Sequence, residues 1–332
     1  MKIFSFPYVV INELMKHLTP VEQLRLSFCS KNAHAFVKTY SNTNRDLCIK
    51  LSGYYNGYSI FYPKVFLINV SSYQPGCLET SNLKTAHGFK YGFNKSRHFI
   101  IYCDDVVQEY QGITNYICDL FKTPVANIAI THESDQWLLD FAQRRQELPL
   151  KKVHTWNIGV SADFYSRIMS CNMTELLECD MIPPDNFRFD AKLPAVKNLI
   201  IKNGLWITRE HLLGLESQNT HLFYTQLTSL DINVLLRSWL NGGLPNLKYL
   251  KIYDRTLDNQ FYEGIHDRLK PVRREISYKG DDDMRPFQFN TNAFHIRRDD
   301  GVVATVTLDG HWFVMAVWPD FNGNRVKRFI RA

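Results

Sequence analysis

The residues with chemistry to offer in this chain are its seven cysteines and eleven histidines. A thiol beside an imidazole makes a nucleophile, and the same groups at fixed spacing hold zinc. Cys29, Cys48, Cys77, Cys103, Cys118, Cys171 and Cys179 are odd in number and include no C-x-x-C pair. That pattern argues against a zinc site and a disulfide framework, and for a reducing compartment. His132-Glu133 opens like a zinc metalloprotease helix, yet Gln136 stands where the second histidine is required. Asp281, Asp282 and Asp283 read as a solvated loop, because no further oxygen ligand follows at calcium-loop spacing. The phosphate-binding patterns G-x-G-x-x-G and G-x-x-x-x-G-K-[ST] are absent, as is the hydrolase elbow G-x-S-x-G. A hydrolase would need Cys103 or Cys118 to meet a histidine in space. The ordinary fate of such a cysteine is that of a small buried hydrophobe. No catalytic residue, metal or cofactor is expected.

The elements that could position such groups belong to an ordinary folded protein. The chain has 332 residues, 45% apolar and 22% charged, with a net charge of +6. That length suggests two domains, and the composition supports a sizeable core. Basic residues gather at Arg268, Lys270, Arg273 and Arg274, and again at Arg325, Lys327, Arg328 and Arg331. Aromatics are not interleaved with them as a nucleic-acid platform requires, so no nucleic-acid partner is expected. No apolar run approaches the ~20 residues of a membrane span. The apolar start, interrupted by Pro7, lacks the form of a secretory signal. The sequons at Asn69, Asn94 and Asn172 then read as chance, and a cytoplasmic or nuclear location is expected.

The opening forty residues read as three short amphipathic helices. Pro7 suits a first helical position, and Val10, Ile11, Leu14 and Leu18 follow at helical offsets. Thr19-Pro20-Val21-Glu22 forms a capping box for a second helix carrying Val21, Leu24 and Phe28 on one face. Ser30 can cap a third, with Ala33, Phe36, Val37 and Tyr40 at helical spacing. Helices this short are marginal alone, so their apolar faces need a partner or the rest of the chain.

Further along, residues 64–70 and 98–103 are strand-like, and Asp104 or Asp105 can start a helix running to Phe121. Strand-like runs then recur at 125–130, 153–158, 175–179, 196–201, 221–225 and 247–252. Helices are expected around Trp137, over 161–169 and 208–215, and after Asp231 as far as Asn241-Gly242-Gly243. This rhythm predicts leucine-rich-repeat-like αβ units. Three strands near the end, joined by Asp299-Asp300-Gly301 and Asp309-Gly310, predict a closing meander. Trp239 and Trp312 sit in apolar patterns and are expected in the core.

Phe6-Pro7, Val10-Ile11, Leu14, Leu18, Pro20, Leu24 and the run from Leu26 to Lys31 (LSFCSK) resemble an F-box, with Phe6 where leucine is usual. LTSLDINVLLRSWLNGGLPNLKYLKI, from Leu227 to Ile252, is similar to the F-box associated domain of the large nematode-type F-box family. Phe294 to Arg298 and Val317-Trp318-Pro319 also fit it, within a resemblance spanning about 115–319. With the spacing of strands and helices, the expected fold is α/β, built of α+β repeats. In it a helical F-box, residues 1–42, is followed by a connecting αβ region, 43–120, and an F-box associated platform, 121–332. That platform would be a leucine-rich-repeat-like solenoid closed by the antiparallel meander. The resemblance further implies the substrate-recognition subunit of an SCF-type, cullin–RING ubiquitin ligase rather than an enzyme. A Skp-type adaptor, and through it a cullin scaffold, would bind the F-box, and a protein substrate of unknown identity would bind the platform. Pro7, Val10, Ile11, Leu14, Leu18, Pro20, Leu24 and Phe28 are the residues expected to contact the adaptor or support the contact. The alternative is a repeat-type interaction module whose opening helices merely cap the repeats.

Overall fold

The structure is a computed structural model. It describes residues 6–41, 49–54, 57–62, 65–72, 83–93, 99–279 and 286–318. Cys48, Cys77, Asn94, Asp281 to Asp283, Pro319 and the basic group from Arg325 to Arg331 lie outside the described residues. The fold is mixed α/β, in two compact units, Met1–Trp156 and Asn157–Ala332.

The first unit opens with α1 (Tyr8–His17), α2 (Pro20–Ser27) and α3 (Lys31–Tyr40). Pro7 sits at the N-cap of α1 rather than inside it. Its ψ of 147° is extended, and its carbonyl already accepts the first helical bond, from Ile11 N–H. The strands are β1 (Ile49–Tyr54), β2 (Gly57–Tyr62), β3 (Val65–Ser72), β4 (Lys84–Ala86), β5 (Phe89–Phe93), β6 (Phe99–Cys103), β7 (Val125–Ile130) and β8 (Leu150–Thr155). They pair in the order β8-β7-β1-β2-β3-β6-β5-β4. β1, β2, β4 and β5 were not foreseen from a stretch rich in Asn, Ser, Gly and Tyr. α4 (Val106–Phe121), capped by Asp105, buries Tyr110, Ile113, Ile117 and Leu120. The Tyr110 hydroxyl donates to Ser59 O and accepts from Ser52 N–H, tying α4 to the β1–β2 hairpin. α5 (Trp137–Arg145) precedes β8, which runs three residues earlier than the expected 153–158.

In the second unit β9 (Met173–Cys179), β10 (Asn198–Ile201), β11 (Asn219–Phe223) and β12 (Tyr249–Tyr253) are parallel neighbours. α6 (Ala162–Met169) precedes β9. α7 (Arg209–Leu213) and α8 (Ser229–Leu240) form the crossovers after β10 and β11. Strand register aligns two rows of fully buried residues, Leu177–Leu199–Thr220–Leu250 and Cys179–Ile201–Leu222–Ile252. Alternation along each strand sends these side chains to one face, which the helices cover. α8 is capped by Thr228, with Asp231 as the third residue of the capping box, so Asp231 supports the cap rather than forming it. β11 ends before the expected 225 because Tyr224 turns the chain at φ 49°. β16 (Phe294–Arg297), β17 (Val303–Asp309) and β18 (Trp312–Val317) form an antiparallel meander that joins the sheet through β12. β13 (Lys270–Pro271) pairs with β16, and β14 (Ile276–Tyr278) with β15 (Phe287–Phe289) form a separate pair. Trp239 is fully buried on α8, whereas Trp312 is only half-buried.

Candidate protein-interaction site

The apolar residues of α1 cannot all face one way, and the helix divides them. Ile11 and Met15, at 4% and 1% exposure, point inward. Val10 and Leu14, four residues apart and so on one line of the helix, are 49% and 37% exposed, and Phe6, just before the N-cap, is 39% exposed. Tyr8 and Val9 flank that row at 64% and 76%. The eight candidate residues therefore separate. Pro7, Val10 and Leu14 are exposed, Leu18 and Pro20 are half-buried, and Ile11, Leu24 and Phe28 are buried. Phe6, Tyr8 and Val9 join the exposed group although spacing did not select them. The available signal was the unbroken run Tyr8-Val9-Val10-Ile11, which circles a helical turn and must leave one side in water.

Two caps fix this helix in place. Thr19 N–H donates to Glu22 Oε2 at 2.7 Å and Thr19 Oγ1 accepts from Glu22 N–H, completing the foreseen capping box of α2. The Thr19 hydroxyl, which also donates to Glu22 Oε2 at 2.7 Å, and then the Thr19 N–H hold the Glu22 carboxyl below its ordinary pKa. Gln23, buried on α2, donates its amide to Met15 O and Leu18 O at 3.0 Å. These are orphan carbonyls at the end of α1. One side chain thus terminates α1 and joins it to α2.

Phe28 serves a different purpose. Its ring lies 4.9 Å from Phe99, 5.1 Å from Tyr91 and Tyr116, 5.7 Å from His87 and 6.2 Å from Phe89, with most pairs edge-on. Edge-to-face packing of this kind adds about 0.5–1.5 kcal/mol per pair beyond area burial. The Tyr116 hydroxyl donates to Ser27 Oγ at 2.9 Å, and burial pushes its pKa up to about 12. Ser41 Oγ donates to Leu120 O, fastening the end of α3 to α4. His34 packs on His87 and Tyr116, and burial, then the His87 charge, lowers its pKa. Phe28 is therefore a fastener between the opening helices and β5, β6 and α4.

The groups that might have done covalent chemistry are turned to structural use. Burial, aided by Glu109, Asp105 and Asp104, pushes the Cys103 thiol up to about 11, and burial also raises Cys118. Both thiols are held away from the nucleophilic thiolate. His132 caps a 3-10 turn at Glu133–Gln136, and Asp135 accepts from the N–H groups of Thr131 and His132. Among the described residues no group of three or more His, Cys, Asp or Glu side chains is placed to hold a metal, and no helix is long and apolar enough to cross a membrane.

Comparison with known proteins gives this surface its context. Residues 3–45 match the family model for the F-box domain, and residues 192–252 match that described as F-box associated. The second match is narrower than the expected 115–319 and covers the parallel strands β10 to β12. The chain is 25% identical over 299 residues to the E3 ubiquitin-protein ligase hecw-1 of Caenorhabditis elegans, covering 76% of this chain and 23% of that protein. It is 22% identical over 213 residues to the Skn-1 dependent zygotic transcript 15 protein of the same organism, covering 61% of this chain and 60% of that one. The chain thus spans less than two thirds of either relative. No solved structure matches. The chain thus carries an F-box domain at its opening helices and an F-box associated domain across β10 to β12.

Proposed function

We propose that this chain is the substrate-recognition subunit of an SCF-type, cullin–RING E3 ubiquitin ligase. Its F-box, residues 1–42, binds a Skp-type adaptor and through it a cullin scaffold. Residues 43–120 connect it to a repeat-like αβ platform, 121–332, that binds a protein substrate in the cytoplasm or nucleus. The reading makes the chain an adaptor rather than an enzyme and requires no cofactor. The observation that carries it is the exposed apolar pair Val10 and Leu14, with Phe6 beside the N-cap, on a helix whose other side is already buried. An apolar helix face left in water beside a filled core suits a partner's groove. Co-purification of the full chain with a Skp-type adaptor tests it. Val10→Asp with Leu14→Asp is expected to weaken capture about 100-fold or more and leave folding intact, since both side chains lie in water. Leu24 belongs in no such test, because it is fully buried and an aspartate there would unfold α2. Unchanged capture by the double variant would favour an interaction module whose opening helices only cap the first unit.

A further inference from the structure

The sheet of the second unit has a second face. Phe261, next to α8, packs on Phe313, which pairs with Ile252 in register, so that row lies under the helices. The intervening residues point the other way: His221 beside Lys251, and Phe223 beside Tyr253 beside Trp312. All five are half-buried. The β14–β15 pair covers one end of this face, where Tyr278 stacks on Tyr249 at 5.4 Å.

At the margin of that cover the face is aromatic and carries two nitrogens short of partners. Phe223 and Tyr253 lie 5.3 Å and 4.6 Å from Trp312. Lys251 Nζ sits 4.1 Å from the Trp312 ring and 5.9 Å from Phe287. Among the described residues it has no hydrogen bond or ion pair; burial lowers its pKa, and the charge of Asp309 only partly opposes this. His221 Nε2 is buried without a hydrogen-bond partner among the described residues. A half-buried ammonium beside an imidazole nitrogen, neither with a hydrogen-bond partner among the described residues, is costly, and an anion would give both groups a partner.

We propose that this helix-free face, at His221, Lys251, Phe223, Tyr253 and Trp312, docks a peptide segment presenting a single carboxylate side chain among apolar residues. The proposal rests on reading the second unit as the substrate-binding part. The carboxylate accepts from Lys251 Nζ and from His221 as its Nε2–H tautomer, while the aromatic rings take the apolar neighbours. Charge on both flanks sets the limit of one negative group. Glu178 and Asp180 pair with Lys202 on one side, and Asp309 stands opposite Trp312 on the other. A phosphate would seek a bidentate guanidinium, and Arg255 is already turned to the Tyr253 hydroxyl.

The test uses the full chain and three synthetic peptides identical but for a central glutamate, glutamine or phosphoserine between apolar residues, the sequence being taken from a random peptide-display selection on the same chain. The glutamate peptide is expected to bind at least about tenfold more tightly than the other two. Lys251→Met is expected to erase that preference while melting temperature and adaptor capture hold, and Lys251→Arg to keep it. A selection that yields no acidic peptide, equal binding of glutamate and glutamine forms, preference for phosphoserine, or indifference to Lys251→Met would each overturn the proposal. Should Lys251→Met not fold, loss of the preference in His221→Phe supplies the same decision. Adaptor capture reads α1 alone, so the docking face and the ligase assignment fail separately.

Discussion

The exposed row of α1 and the helix-free face of the second unit both leave apolar side chains in water, by opposite constructions. At α1 the surface comes from one short segment, Phe6 before the helix and Val10 and Leu14 along it. The sheet face is assembled from β11, β12 and β18, with Phe223 and Trp312 almost ninety residues apart in the chain and a lysine in their midst. A contiguous surface is specified by local spacing and can be passed between proteins as a motif. An assembled one depends on register, because a slip of one residue would send His221 and Lys251 into the core and Leu222 out. The first construction suits a constant partner and the second a varying one.

Three perturbations would break or sharpen this contrast. The largest concerns what holds the α1 surface in place. Phe28→Ala is expected to cost about 3–5 kcal/mol, read from urea unfolding, because five surrounding rings lose their common neighbour. A loss under about 1 kcal/mol would mean that the opening helices stand without β5, β6 and α4. Next is the sheet face, where burial, then the Lys251 charge, brings the His221 pKa from 6.5 down to about 4. The folded chain disfavours the protonated ring, so this contribution is intact above pH 6.5 and is lost as pH falls from there towards 4. The loss is at most about 3 kcal/mol. Unfolding measured across that window should flatten in His221→Gln; an unchanged profile would show that the face is more open to water than its geometry implies. The smallest effect belongs to the α1–α2 corner, where Thr19→Ala removes one half of a capping box at about 1 kcal/mol, visible as a modest fall in denaturation midpoint.

The sequence made legible whatever depended on neighbours in the chain. Thr19 and Ser30 cap the helices expected of them, Asp105 is the one of two candidates that caps α4, and the meander turns fall at Gly301 and Gly310, both with positive φ. Helical spacing selects the candidate interaction residues as a set, because it identifies an apolar face. Their division was hidden, because whether Phe28 meets a partner or its own chain depends on where Phe89, Tyr91, Phe99 and Tyr116 return to. The early strands escaped notice for a related reason. Ser and Gly give little local strand signal even where the partner is close, as for β1 with β2 and β4 with β5, and the parallel partner of β1, β7, lies far along the chain. Lys251 and His221 were invisible as neighbours for the same reason: only the β11–β12 register sets them side by side.

The amide of Gln23, the ring of Phe28 and the hydroxyl of Ser41 form an unbroken series of contacts from α1 to α4. None of these links runs through the backbone that leads out of α3. Orientation of α1 against the first unit's sheet is consequently held by stitching rather than by a tether. Whatever grips α1 acquires a lever arm with its angle already set, and lengthening the chain after Ser41 would leave that angle unchanged as long as the stitches hold.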